Sequence, residues 1–81
     1  MNKKNTAIGK AIDFFGSQSS LAKELDVTRA RVWQWFNNVS MVSPEKSIEI
    51  EGKTKGMVRC EELRPDINWS ILRNKKATNA N

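Results

Sequence analysis

Apolar residues recur three and four positions apart along most of this chain, the spacing of one face of an α-helix. Ile8, Ala11, Ile12 and Phe15 fall at i, i+3, i+4 and i+7 and predict a first helix from Asn5 or Thr6 to Phe15. Gly16 is its natural stop. The Ser17 hydroxyl is placed to cap a second helix running to Leu25, on which Leu21, Ala22 and Leu25 share a face. Asp26 and Val27 read as a tight turn. Thr28 then caps a third helix ending at Phe36 or Asn37, with Val32, Trp35 and Phe36 inward. Residues Asn37 to Val42 read as a loop, because asparagine and serine bond their own backbone easily. Ser43-Pro44-Glu45 combines a cap, a proline at the first helical position and an early acid, and so starts a fourth helix. That helix runs to Lys53, with Ile48 and Ile50 as its apolar residues and Gly52 and Gly56 near its end. Arg59 to Leu63 makes a short fifth helix, closed ahead of Pro65. Met57-Val58-Arg59-Cys60 is β-prone, so a hairpin across residues 53 to 64 is the alternative there. The expected fold is all-α, a small five-helix domain over residues 1–72. A polar, basic and disordered tail is expected at 73–81.

Composition narrows the chemistry. With 81 residues there is room for one domain with a thin core, since a chain of this size buries only about 60% of its unfolded surface. There is no histidine and only one cysteine, Cys60. The commonest general base, the commonest zinc ligand and any internal disulfide are thereby removed. No catalytic constellation remains, and neither an enzyme, a cofactor, a metal nor a small-molecule ligand is expected. Cys60 reads as a small buried hydrophobe. No run of 18 apolar residues is present and the N-terminus lacks a signal-peptide core, so a reduced, cytoplasmic protein without a membrane partner is expected.

Charge adds a partner. Fourteen Lys and Arg against nine Asp and Glu give a net +5. Lys3, Lys4 and Lys10 gather at one end, Arg73, Lys75 and Lys76 at the other. Between Asp26 and Glu45 there is no acid, while Arg29 and Arg31 are present. A basic chain with an acid-free window is the footprint of a polyanion partner.

The acid-free window overlaps the stretch from Ser17 to Asn37, two helices of about eight residues joined by a short turn, which has the dimensions of a helix-turn-helix. Ala22 permits the close crossing of the pair. Asp26 stands at the turn, where glycine is common, and tolerates the left-handed region better than most residues. In such a motif the second helix leads into the major groove with its N-terminal residues. Thr28, Arg29, Ala30, Trp33 and Gln34 are then the candidate base readers. Arg bonds guanine in bidentate fashion, Gln bonds adenine, and methyl or aromatic groups meet thymine methyls. Ser17, Gln18, Ser19, Lys23, Arg31 and Asn37 are the candidate phosphate ligands, with Lys4 and Lys10 as further candidates. Trp33 reads equally well as a partly buried aromatic at the edge of the core. Phe14 lies off the main face of its helix, and Glu51 pairs on paper with Arg64. Ile67, Trp69, Ile71 and Leu72 form either a satellite cluster or a dimer interface.

Several segments together carry a resemblance. They are Gly16-Ser17-Gln18-Ser19-Ser20-Leu21-Ala22, Val32-Trp33-Gln34-Trp35, Val42-Ser43-Pro44-Glu45, Ile50-Glu51 and Leu63-Arg64-Pro65-Asp66. The chain resembles Cro-type phage repressors and the YdaS-like helix-turn-helix regulators of prophages over about residues 5 to 69. The helix-turn-helix alone is shared with very many regulators, and the last segments make the likeness more specific. The resemblance implies a lambda-repressor-like domain in the bacterial cytoplasm, encoded by a phage or prophage. It implies binding of double-stranded operator DNA as a homodimer on a palindrome, repression of transcription, and the base-reading roles named above. A different class, a protein-binding adaptor or an antitoxin-like autoregulator, would use the same scaffold. The outward residues of the third helix, with Arg, Gln and Asn and no acid, favour DNA.

Overall fold

The computed structural model describes residues 3–73. Six helices follow one another: α1 (Thr6–Phe15), α2 (Gln18–Leu25), α3 (Arg29–Phe36), α4 (Pro44–Lys53), α5 (Cys60–Leu63) and α6 (Ser70–Arg73). There is no strand among the described residues, so the hairpin alternative at residues 53 to 64 does not form. The sixth helix exceeds the expected five. It is a single turn, too short to leave a periodic signal in the sequence.

The helix starts follow the local chemistry. Asn5, Ser17, Thr28 and Ser43 each accept a hydrogen bond from the backbone amide three residues on, at 3.0, 3.0, 3.1 and 3.2 Å. A cap of this kind is worth about 1 kcal/mol. Gly16 ends α1 at φ 105°, and Asp26 ends α2 at φ 57°, both left-handed.

The core is built from one face of each of the first three helices. Ile8, Ala11, Leu21, Ala22, Leu25, Val32 and Trp35 are buried there, and Val42, Ile50, Val58 and Leu63 complete the cluster. α4 packs on α2, and α5 packs on α4 and α1. Lys46 fastens α4 to α2 by donating to the Leu25 carbonyl at 2.7 Å, a cation at a helix C-terminus.

The two apolar residues of α4 do not share a face. Ile50 is fully buried and Ile48 is 49% exposed. Residues two apart on a helix lie about 200° apart, so both cannot face one core. The inward neighbours are Ser47 and Thr54, both buried. Their hydroxyls are satisfied by the Ser43 carbonyl at 3.0 Å and the Ile50 carbonyl at 2.7 Å. Thr54 also accepts from the Val58 amide at 3.1 Å, which turns the chain toward α5.

The C-terminal segment is tied down by two arginines. Arg64 donates to the Val42 carbonyl at 2.9 Å and to both oxygens of Asp66. The Glu51–Arg64 pair expected from the sequence is therefore absent. Glu51 accepts instead from the Cys60 amide at 2.8 Å and from two nitrogens of Arg73. Arg73 also grips Glu61 at 2.7 and 2.8 Å. These bonds hold the Glu51 and Glu61 carboxyls at about 2, well below the usual carboxylate range. Burial first, and the Glu51 carboxylate second, push the Cys60 thiol up to about 11, which favours the protonated thiol at neutral pH. Trp69 is buried and donates its indole N–H to the Arg64 carbonyl at 2.8 Å. Arg73, first residue of the expected tail, thus closes α6. The rest of that tail, with Lys75 and Lys76, lies outside the described residues. No helix among the described residues is long and apolar enough to cross a membrane.

Candidate nucleic-acid interface

α3 presents two unlike faces. Val32 and Trp35 are buried, and Phe36 packs partly buried beside them. On the other side Arg29, Ala30, Trp33, Gln34 and Asn37 fall at i, i+1, i+4, i+5 and i+8, a single outward stripe. Arg29 and Ala30 are exposed, Trp33 is 50% exposed, and Gln34 and Asn37 are half-buried. The partly buried hydrophobics that pack against the core are Ile12, Phe15, Val27 and Phe36, and Trp33 is not one of them. Phe14 is similarly outward and makes an edge-to-face contact with Phe15 at 4.9 Å.

α2 sets the position of this stripe. Ala22 is buried where α2 meets α3, and the Val27 amide donates to its carbonyl at 3.0 Å. The left-handed Asp26 makes the turn between them. Gln18, at the start of α2, joins Arg29, Ala30, Trp33 and Gln34 around a shallow depression of about 260 Å³. The sequence places Gln18 among the candidate phosphate ligands, whereas the structure puts it beside the candidate base readers. Its Oε1 is buried without a hydrogen-bond partner.

The remaining candidates divide. Ser17 and Ser19 are exposed at the start of α2, and Lys23 lies four residues after Ser19 on the same face. The first turns of α2 and α3 carry no acid, so neither positive helix end is neutralised locally. Arg31 is exposed. The Thr28 hydroxyl oxygen is engaged as the α3 cap. Asn37 is occupied within the chain, since its Nδ2 donates to the Trp33 carbonyl at 3.0 Å and its Oδ1 accepts from the Lys4 ammonium. The Lys4–Asn37 bond joins residues 33 positions apart, and nothing local in the sequence signals it.

Charge is segregated to match. Lys10 pairs with Glu62, Lys46 with Glu49, Lys53 with Glu24, Arg59 with Glu61, Arg64 with Asp66, and Arg73 with Glu51 and Glu61. Among the described residues, the cations without such a partner are Lys3, Lys4, Lys23, Arg29, Arg31 and Lys55. All but Lys55 belong to the helix-turn-helix or to the segment ahead of α1. Lys10, a further candidate phosphate ligand, is paired with Glu62 at 2.8 Å across the surface. No group of three or more His, Cys, Asp or Glu side chains among the described residues is arranged to hold a metal.

The candidate dimer residues are split as well. Trp69 is part of the protomer's own interior, Ile67 is half-buried, and Ile71 and Leu72 are 73% and 47% exposed.

Known proteins resemble the whole arrangement. Residues 8–72 match the family model described as bacterial toxin YdaS. A protein of Escherichia coli (strain K12), named as the transcriptional regulator YdaS, is 41% identical over 81 residues, covering all of this chain and 83% of that one. A solved structure of the Cro protein from prophage element Xfaso 1 in Xylella fastidiosa strain Ann-1 is 41% identical and superposes with a TM-score of 0.69, over 84% of this chain and 97% of that one. The match runs from within α1 into α6 and includes the whole helix-turn-helix, and on that ground the chain belongs to the YdaS family.

Proposed function

We propose that this chain is a sequence-specific transcriptional regulator of the Cro type. It binds palindromic operator DNA through the major groove and represses by occupying the site, in the cytoplasm of a bacterium that carries the phage or prophage. The observation that carries this reading is the outward face of α3. It sets hydrogen-bonding and apolar side chains in one stripe and is flanked by the cations that have no acid to pair with. The relative named as a transcriptional regulator and the Cro structure support the same reading.

In this reading Arg29, Ala30, Trp33 and Gln34 meet base edges, with Gln18 beside them and Thr28 at the helix start. Ser17, Ser19, Lys23 and Arg31 hold phosphates. The amides of Gln18 and Ser19, first in α2, are free in any helix to bind an anion. Two protomers read the two half-sites, with Ile67, Ile71 and Leu72 at their contact. The folded residues through Arg73, which closes α6, act as the binding unit.

The test is selection of bound duplexes from a random pool at about 150 mM salt, where nonspecific phosphate binding is weakened. The expected result is a palindrome with half-sites about 10 base pairs apart. A folded protein that enriches no sequence would overturn the proposal and move a protein-binding role to the front.

A further inference from the structure

The segment ahead of α1 is bonded to the far end of α3. The Asn5 amide donates to the Phe36 carbonyl at 2.8 Å. The Lys4 ammonium donates to Asn37 Oδ1 and lies 5.8 Å from the Phe36 ring centroid. Asn38, held left-handed at φ 59°, donates from Nδ2 to the Lys3 carbonyl. Two consecutive cations are thus pinned beside the end of the helix that carries the outward stripe. A cation is favoured at a helix C-terminus, and that accounts for Lys4 structurally. It does not account for Lys3, which takes part through its carbonyl while its side chain stays exposed and unpaired among the described residues.

The position matters because Asn37 is the last member of the stripe. Nine residue steps from Thr28 to Asn37, at 1.5 Å each, span about 14 Å. The major groove is about 12 Å wide. A helix that leads with its N-terminal residues therefore brings Asn37, and the ammonium bonded to it, to the sugar–phosphate wall. We infer that Lys3 and Lys4 form a second phosphate-binding site of the DNA interface, separate from Ser17 and Ser19 and held in register with α3 by the Asn5, Asn37 and Asn38 bonds. This rests on the DNA-binding reading above.

The experiment is equilibrium binding of the full chain to the selected duplex and to a scrambled duplex of equal length, across a salt series from about 50 to 300 mM. Lys3→Ala keeps the carbonyl that Asn38 uses, and Lys4→Gln keeps a donor for Asn37. Removing one lysine–phosphate pair is expected to lower the slope of log affinity against log salt by about 0.9. With 1 M salt as the common reference, that slope is about a fivefold weakening at 0.15 M, equal on both duplexes. The double variant should lower the slope about twice as much. Lys55→Ala, an unpaired lysine remote from α3, should change neither quantity. Unaltered slopes in the single and double variants, with wild-type binding intact, would overturn the inference alone. A wild-type chain with no salt-dependent binding to either duplex would overturn the DNA-binding reading and this site with it.

Discussion

Trp33 sets a chemical problem at the scale of one residue. A large aromatic, half exposed, stands on a helix face otherwise made of Arg, Ala, Gln and Asn. In the major groove the apolar group on a base edge is the thymine 5-methyl. Trp33 with Ala30 is therefore expected to read a thymine. Replacing that thymine by uracil in the selected duplex removes one methyl, worth about 0.8 kcal/mol, or roughly fourfold in affinity. In Trp33→Ala the thymine and uracil duplexes should bind alike, which fluorescence anisotropy would show. An equal thymine–uracil gap in both proteins would refute the role. Arg29→Ala and Gln34→Ala should each relax base preference by roughly 1–3 kcal/mol at one position of the site. Repeating the selection with each variant checks this, and an unchanged consensus would exclude that side chain as a reader.

At the scale of the element, the first four helices are legible in the sequence because their signals are local. Asn5, Ser17, Thr28 and Ser43 cap within three residues, and Gly16 and Asp26 end helices by their own conformational freedom. Which face of α4 turns inward is not legible. Ile48 and Ile50 compete for one core, and the inner side of the helix is completed by Ser47 and Thr54, whose hydroxyls bond to backbone carbonyls. Long-range bonds leave no local signal either: Glu51 with Arg73 and Lys4 with Asn37 are 22 and 33 positions apart. The Asp26 turn gives a direct test of a local signal. A β-branched residue at φ 57° is a steric outlier, so Asp26→Val is expected to cost about 1–2 kcal/mol in urea unfolding. A cost below a few tenths would show that the turn can relax to another conformation. The α6 clamp is a test of the long-range kind. Glu51 and Glu61 titrate at about 2 when folded, against an ordinary 4.5. The unfolded chain therefore binds protons more readily, and the clamp's contribution is complete above pH 4.5 and disappears as pH falls from there toward 2. Arg73→Met should be less stable than wild type at neutral pH, and the two melting curves should converge over that acid window. A gap independent of pH would mean that Arg73 acts through packing alone.

On the scale of the whole molecule, the cations without an acid partner, Lys55 apart, gather on the helix-turn-helix and the segment ahead of α1, while apolar residues remain exposed on α4 and α6. Trp69 is consumed by the protomer's own interior, but Ile71, Leu72 and Ile48 are not. Leu72 and Ile48 border a hollow of about 380 Å³ beside the Arg73 clamp. Exposed apolar groups gathered in this way mark association. A palindromic operator would reward it, because once one protomer is bound the second half-site is met at a high effective concentration. The expectation is weak self-association in solution, completed on DNA. Leu72→Lys places a charge at the proposed contact between protomers without touching α3, so affinity for an isolated half-site should stay within about twofold while cooperativity on the full palindrome falls. Trp69→Ala, by contrast, should destabilise the protomer and weaken both. Sedimentation velocity on free protein and on the two duplexes separates these cases. One protomer per full palindrome, with Leu72→Lys indistinguishable from wild type, would show that each half-site is read independently and that the apolar edge of α6 has another purpose.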